Sequence, residues 1–402
     1  MNHAYIYDSL RTPRGKGKKD GSLYTTQPID LLIALFDEYK KRYPNAPEFV
    51  EDAIVGCVTP VKEQGFNIAK TAAMAAGYPD TTAGVTLSRY CASGLEAINQ
   101  ASAYVMSGQE DLILAGGLES MSRVPMGSDG GALFTNPEVV MQHKIVPQGI
   151  SADLIASKFG FSRRDLDAFA AESHKRAAKA TQGGYFKNSL ISISDVNGKV
   201  ILDKDEMIRP DSSVETLGNL KPSFQMMGEQ GGFDNLALQK YPEVEKINHV
   251  HHPGNSSAIV DGAALTLVGS ESMGQQLGLK PRAKVRAFAV TGTEPTIMLL
   301  GPGLSARKAL KKAGMEIGDI DLFEVNEAFA VVPMRFMQEM NVPHDKVNVN
   351  GGAIAMGHPL GATGSMLIST LIDELERRDL NTGMATLCVG GGMGIATIIE
   401  RI

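Results

Sequence analysis

An order of strands and helices in the first third of the chain returns in its last third. This echo constrains the fold more than any other feature. A short apolar run at 4–7 is followed by a basic, glycine-bearing loop at 11–21. A helix over 28–39 comes next, with Leu32, Leu35, Phe36 and Tyr39 on one face. Residues 53–58 read as a buried strand. Cys91 opens a helix with Leu95, Ile98 and Ala101 on one side, and 112–115 is a strand ending in Gly116-Gly117. The order comes back as a strand at 284–290, a turn at Gly301-Pro302-Gly303 and a helix through Ala309. A strand at 320–325, His358 ahead of a helix over 365–375, and a strand at 384–389 ending in glycines complete it. The offset is roughly 270 residues, too long for a solenoid repeat. A duplicated α/β half is therefore expected, as two similar domains about a pseudo-two-fold axis. Cys91 and His358 then sit at equivalent helix starts that face each other across that axis.

The segment 121–259 breaks the echo. It shows one clear helix, with Ser162 as its N-cap and Asp165 three residues on. The rest is rich in Gly, Pro, Met and polar residues, which suits a lid or a binding segment.

The bulk properties exclude several classes. A length of 402 residues allows two or three domains with substantial cores. A formal net charge of −6 argues against nucleic acid or an anionic membrane as the main partner, although a local basic patch could hold an anionic cofactor. Three cysteines, Cys57, Cys91 and Cys388, make neither a disulfide framework nor a CxxC pair, so a reducing, cytoplasmic setting is expected. No run of 18 apolar residues is present to span a membrane. Asp8 interrupts the stretch where a signal peptide would be apolar, and the final Glu400-Arg401-Ile402 is not a peroxisomal address.

Three glycine-rich settings carry the chemistry. In Ser88-Arg89-Tyr90-Cys91-Ala92-Ser93-Gly94, Cys91 is either a buried, inert thiol or a nucleophile. A helix N-terminus would lower its pKa, and Ala92, Ser93 and Gly94 are small enough to leave room for an acyl group. His358 lies in Gly357-His358-Pro359-Leu360-Gly361-Ala362-Thr363-Gly364, a fixed and uncrowded backbone that suits a general base. Cys388 runs into Gly390-Gly391-Gly392, which is either a turn needing positive φ or a nest of N–H groups for an oxyanion. The spacing is not that of a dinucleotide fingerprint. Asn326, in Asn326-Glu327-Ala328-Phe329-Ala330, is either a helix N-cap or an amide that orients water. The cluster His249-Val250-His251-His252 invites a metal reading, but no carboxylate or thiol stands nearby at ligand spacing, and no metal is expected.

Together these segments resemble the thiolase family. So do Asp8-Ser9-Leu10-Arg11-Thr12-Pro13, Gly116-Gly117-Leu118-Glu119-Ser120-Met121-Ser122 and Gly254-Asn255-Ser256-Ser257-Ala258-Ile259-Val260-Asp261-Gly262. The resemblance covers nearly the whole chain. It implies a duplicated five-layer αβαβα fold with an inserted loop domain that binds coenzyme A. The divisions are 1–120 plus 260–281, 121–259, and 282–402. It also implies ping-pong acyl transfer on 3-ketoacyl-CoA, with CoA as substrate and no permanently bound cofactor. By similarity Cys91 is the nucleophile, His358 activates it, and Cys388 exchanges a proton with the α-carbon of acetyl-CoA. Asn326 holds a water that, with His358, stabilises the enolate oxygen. The N–H groups of Cys91 and Gly390 form a second oxyanion hole. Lys221 and Ser257 match coenzyme A contacts at the nucleotide end and the pantetheine arm, although Lys221 is equally a solvated surface charge.

Two departures stand out. Many short-chain biosynthetic members carry His-Met-Gly where this chain has Pro147-Gln148-Gly149, which points to degradative thiolysis over acetoacetyl-CoA synthesis. The stretch 225–252 is longer than in typical members. The family resemblance implies a homodimer or dimer of dimers, with a β-oxidation multienzyme as a further partner. A non-catalytic CoA-binding subunit of such an assembly is the reading from another class.

Overall fold

The computed structural model describes residues 2–402. The first half runs β1 (Tyr5–Arg11), α1 (Pro28–Arg42), β2 (Asp52–Gly56), α2 (Ile68–Ala75), β3 (Val85–Leu87), α3 (Ser93–Ser107) and β4 (Leu112–Ser120). An excursion follows, containing α4 (Gln148–Phe159), α5 (Arg163–Gln182) and α6 (Phe233–Leu238). The chain then returns to the first sheet as β5 (Val260–Gly269). The second half runs β6 (Ala283–Gly292), α7 (Gly301–Ala313), β7 (Leu322–Val325), α8 (Val331–Met340), α9 (Thr363–Arg378), β8 (Thr382–Val389) and β9 (Met393–Arg401).

The duplication is visible in the strand order. The first half is ordered β3-β2-β4-β5-β1 and the second β7-β8-β9-β6, with Val347 bridged to Phe323 where β3 stands in the first. The directions match as well. The β2–β4 and β7–β8 pairs are parallel, whereas β4–β5, β5–β1, β8–β9 and β9–β6 are antiparallel. Among the described residues the two sheets pair edge to edge at Tyr5 with Lys284 and Ile6 with Ala283.

Alternation along the strands builds five layers. On β4, Leu112 and Leu114 face α1 and α2, while Ile113 and Ala115 face α3. Leu95, Ile98 and Val105 of α3 and Leu367, Ile368 and Leu371 of α9 share one core with strands of both halves. The two helices thus form the middle layer. Beyond the second sheet, Ala306 and Leu310 of α7 and Phe336 of α8 pack on Phe323, Val325 and Met384. The layers are helix, sheet, helix pair, sheet, helix.

Several sequence expectations need correction. The strand expected at 112–115 continues to Ser120, so Gly116 and Gly117 lie inside it. Their missing Cβ atoms admit the carbonyls of Ala264 and Gly361, which press against these positions. Gly301-Pro302-Gly303 is the first turn of α7, not a separate turn. The region 121–259 holds more than one helix. The Ser162 and Asp165 capping box does open α5, but α4 and α6 have weaker signatures and are held by tertiary contacts. Ile150, Leu154 and Ile155 of α4 join Leu236, Val244, Ile247 and Val250 in one core, so 225–252 is a packed part of this region.

Candidate active site

Cys91 sits at a strained corner between β3 and α3. Tyr90 before it has φ +46°, unusual for a bulky residue. Ser93 fixes the corner: its Oγ accepts from the Arg89 N–H (2.9 Å) and donates to the Tyr90 carbonyl (2.6 Å). Strain of this kind is held where the surroundings over-determine the backbone. The thiol is buried beside Val58, Met121 and Leu360.

Burial pushes the Cys91 thiol up to about 11, although the N–H groups of Gly390 and Cys91 and the side-chain amide of Gln148 pull the other way. The sequence suggested a thiol with lowered pKa at a helix start. Desolvation outweighs the helix here, and α3 itself begins only at Ser93. Gly94, among the small residues after Cys91, also has a packing role. A Cβ on Gly94 would lie 2.6 Å from the Gly361 carbonyl oxygen, so the glycine lets the His358 turn seat against α3.

His358 is buried in that turn, its N–H donating to the Ala258 carbonyl at 2.9 Å. Its Nδ1 lies 2.6 Å from Thr363 Oγ1, and that hydroxyl donates its single proton to the Pro359 carbonyl at 3.0 Å. The hydrogen-bond network therefore assigns the imidazole proton to Nδ1 and leaves Nε2 as the basic nitrogen. Asn326 Nδ2 donates to that Nε2 at 3.3 Å. Burial, reinforced by the Arg14 charge, holds His358 down to about 3, so the ring is neutral near pH 7.

Asn326 follows β7, its N–H donating to the Thr386 carbonyl of β8. It caps no helix, because Ala330 occupies the N-cap of α8. Its Oδ1 is buried without a hydrogen-bond partner among the described residues. Cys388 is the penultimate residue of β8. Burial, and next the proximity of Cys91, hold its thiol well above the ordinary range. Gly390, Gly391 and Gly392 form the hairpin to β9, with φ +75° at Gly391 and +80° at Gly392. The turn needs positive φ at two of the three glycines, and the N–H of the third, Gly390, favours ionisation of Cys91.

The structure pairs His358 with Asn326 and sets Cys388 and the Gly390 N–H near enough to Cys91 to influence its ionisation. Leu360 of the His358 turn touches the Cys91 cluster. Ser257 lies one residue from Ala258 and is half-buried, its N–H donating to the Ala328 carbonyl. Lys221 is exposed on the loop after the helix Val214–Gly218. The histidine cluster has carboxylate partners after all, brought from distant helices. His249 lies between Asp153 (2.8 Å) and Asp234 (3.0 Å), His251 binds Asp153 (2.7 Å), and His252 binds Asp167 (2.8 Å).

Two site residues escaped sequence reasoning. Thr363 stands five positions after His358, a spacing whose role appears only once the turn is folded. Gln148 was visible as a departure in the Pro147-Gln148-Gly149 stretch, but its proximity to Cys91 was not.

Residues 4–231 match the thiolase N-terminal domain and residues 279–401 the thiolase C-terminal domain. A 3-ketoacyl-CoA thiolase of Colwellia psychrerythraea is 40% identical over 411 residues, and one of Bacillus subtilis is 39% identical over 415. Each alignment covers 100% of both chains. The crystal structure of the Bacillus anthracis acetyl-CoA acetyltransferase superposes with a TM-score of 0.85 at 33% identity, covering 100% of this chain and 99% of that one. Both thiolase domain models, relatives about 40% identical over the full length and a duplicated fold shared with a solved acetyltransferase make this chain a member of the thiolase family.

Proposed function

We propose that this chain is an acyltransferase that cleaves 3-ketoacyl-CoA with coenzyme A to acetyl-CoA and a shortened acyl-CoA, and runs the reverse condensation. His358 Nε2 takes the Cys91 proton, and the thiolate attacks C3 of the substrate. The C2–C3 bond breaks, its electron pair leaves on C2 as the acetyl-CoA enolate, and Cys388 protonates C2. Coenzyme A then attacks the Cys91 thioester, its thiol proton passing to the Cys388 thiolate; the shortened acyl-CoA leaves, and the Cys91 thiolate recovers its proton from His358.

What supports this reading is the full-length match to thiolase relatives, together with Cys388 and the Gly390 N–H standing close enough to Cys91 to bear on its ionisation. The N–H groups of Cys91 and Gly390 would stabilise the oxyanion on the acyl carbon, at about 3 kcal/mol for each well-placed donor. The unpartnered Asn326 Oδ1 supports a water that, with His358, faces the enolate oxygen. Both thiols are protonated at rest, which suits one for delayed activation and the other for proton delivery.

In this reading 121–259 is the segment that holds coenzyme A, between halves made of 1–120 with 260–281 and of 282–402. Ser257 lines the pantetheine arm and Lys221 meets the nucleotide end. No helix among the described residues is long and apolar enough to cross a membrane. We place the enzyme in the cytoplasm as a homodimer or dimer of dimers, open to a β-oxidation partner. The likeness to an acetyl-CoA acetyltransferase keeps a short-chain reading in view. The full-length relatives named 3-ketoacyl-CoA thiolase support the reading as a 3-ketoacyl-CoA thiolase.

Intact-mass analysis after mixing with 3-ketoacyl-CoA, followed by peptide mapping, tests the core of the proposal. One acyl adduct on Cys91, discharged by free coenzyme A, is expected. An unmodified Cys91 under turnover conditions would refute it. Strict preference for acetoacetyl-CoA over longer substrates would overturn the degradative assignment.

A further inference from the structure

We propose that Gln148 is a catalytic donor of this chain: its side-chain amide N–H is a third hydrogen-bond donor to the Cys91 sulfur once the thiolate forms, beside the N–H groups of Gly390 and Cys91. The inference rests on Cys91 being the nucleophile.

Geometry places the amide beside the Gly390 hairpin and the Tyr90–Cys91 corner. Gln148 is the first residue of α4, half-buried, and its Nε2 comes within 3.3 Å of where a Cβ on Gly390 would sit. That same position on Gly390 is 3.9 Å from the ring of Tyr90, the neighbour of Cys91. The amide therefore lies against the glycine hairpin, on the stretch of it that adjoins the ring of Tyr90. Its helix is held on two sides. Ser151 Oγ donates to the Thr296 carbonyl at 2.6 Å, and Asp153 Oδ1 accepts the N–H groups of Val250 (3.0 Å) and His251 (3.1 Å). A donor on so fixed an element loses little entropy when it engages the sulfur.

The chemistry favours an amide at this position. Cys91 lies in a dry pocket where burial opposes ionisation. Among the described residues no well-aligned side-chain hydrogen bond ends on the resting thiol, and catalytic contacts of this kind tighten when the charge appears. A thioether, as in the His-Met-Gly pattern, has no N–H to offer, whereas a carboxamide has two. The departure at Gln148 thus places a neutral donor where charge develops. A hydrogen bond to a charged acceptor of this kind corresponds to roughly a tenfold effect or more on ionisation.

The test is the pH dependence of Cys91 alkylation by iodoacetamide, read by peptide mapping, in the wild type and in Gln148→Met, Gln148→Ala and Gln148→Glu. Removing the donor should move the alkylation midpoint to higher pH and slow labelling at fixed pH by about tenfold. Gln148→Glu, which sets a negative charge beside the sulfur, should slow it further. An unchanged profile in Gln148→Met and Gln148→Ala with Cys91 still labelled, or a midpoint in Gln148→Glu no higher than in the wild type, would overturn the inference and leave the nucleophile assignment standing. Labelling of Cys57 or Cys388 in preference to Cys91 in the wild type would remove both. A loss of packing alone lowers the melting temperature without shifting the midpoint, and that result also counts against the inference.

Discussion

His358 and His249 are both largely hidden from solvent, yet their surroundings drive them in opposite directions. His358 has a hydroxyl and an amide as partners and a guanidinium nearby, and burial brings it down to about 3. His249 lies between the carboxylates of Asp153 and Asp234, and their hydrogen bonds, Asp153 first, raise it above its ordinary value. Burial without a counter-charge keeps an imidazole neutral with an unprotonated ring nitrogen, whereas burial between carboxylates makes it an ion-pair clasp. The first environment suits proton transfer and the second holds α4 and α6 to the 249–252 strand of chain. The same helix, α4, carries Asp153 for the clasp and Gln148 toward Cys91.

The sharpest way to break this contrast is to remove each centre in turn. His358→Ala should lower turnover by about 10²- to 10⁴-fold, the usual span for a positioned general base. Its melting temperature should change little. Asp153→Ala should do the reverse. It strands His251, leaves His249 with Asp234 alone and removes the acceptor for two backbone N–H groups, so it should cost about 3 kcal/mol or more of unfolding free energy in denaturant titration. If Asp153→Ala left stability intact and His358→Ala unfolded the protein, the division between catalytic and structural histidines would be wrong.

The sequence made much of this legible, for reasons that differ by residue. The duplication was readable because each half repeats its own hydrophobic periods, and strand order with direction then follows in both. Cys91, His358 and Cys388 stood out because each lies in a glycine-rich run that a plain core position does not need. What sequence could not supply was desolvation. Cys91 precedes a helix, and only the pocket of Val58, Met121 and Leu360 shows that burial outweighs the helix. Nor could it supply partners from afar. His249 shows no carboxylate within ligand spacing, because Asp153 and Asp234 reach it through the fold. Gly117 read as the end of a strand, although its real constraint is the Gly361 carbonyl from the other half.

That last contact offers a test of how tightly the His358 turn must seat. Gly117→Ala would put a methyl group against the Gly361 carbonyl, backbone on backbone, with no flexible side chain to yield. Overpacking of this kind costs about 1–3 kcal/mol. The displaced turn should also carry His358 away from Asn326, so activity should fall more steeply than stability. A stable, fully active Gly117→Ala protein would mean that the two halves tolerate a looser seam than the one seen.

The smallest effect separates the two histidines by pH. His249 has a folded value above the unfolded 6.5, so its stabilisation is fully present below pH 6.5 and is lost as pH rises through the folded value. His358 has a folded value of about 3, so its share is fully present above pH 6.5 and is lost as pH falls toward about 3. The melting temperature should therefore decline on the acid side through His358 and, more gently, on the alkaline side through His249. Asp234→Asn removes one of the two carboxylates facing His249 and should flatten only the alkaline decline, leaving the acid limb and the turnover profile in place. A mutant whose acid limb moved instead would show that the clasp and the catalytic pocket are coupled through α4, since that helix is the element the two share.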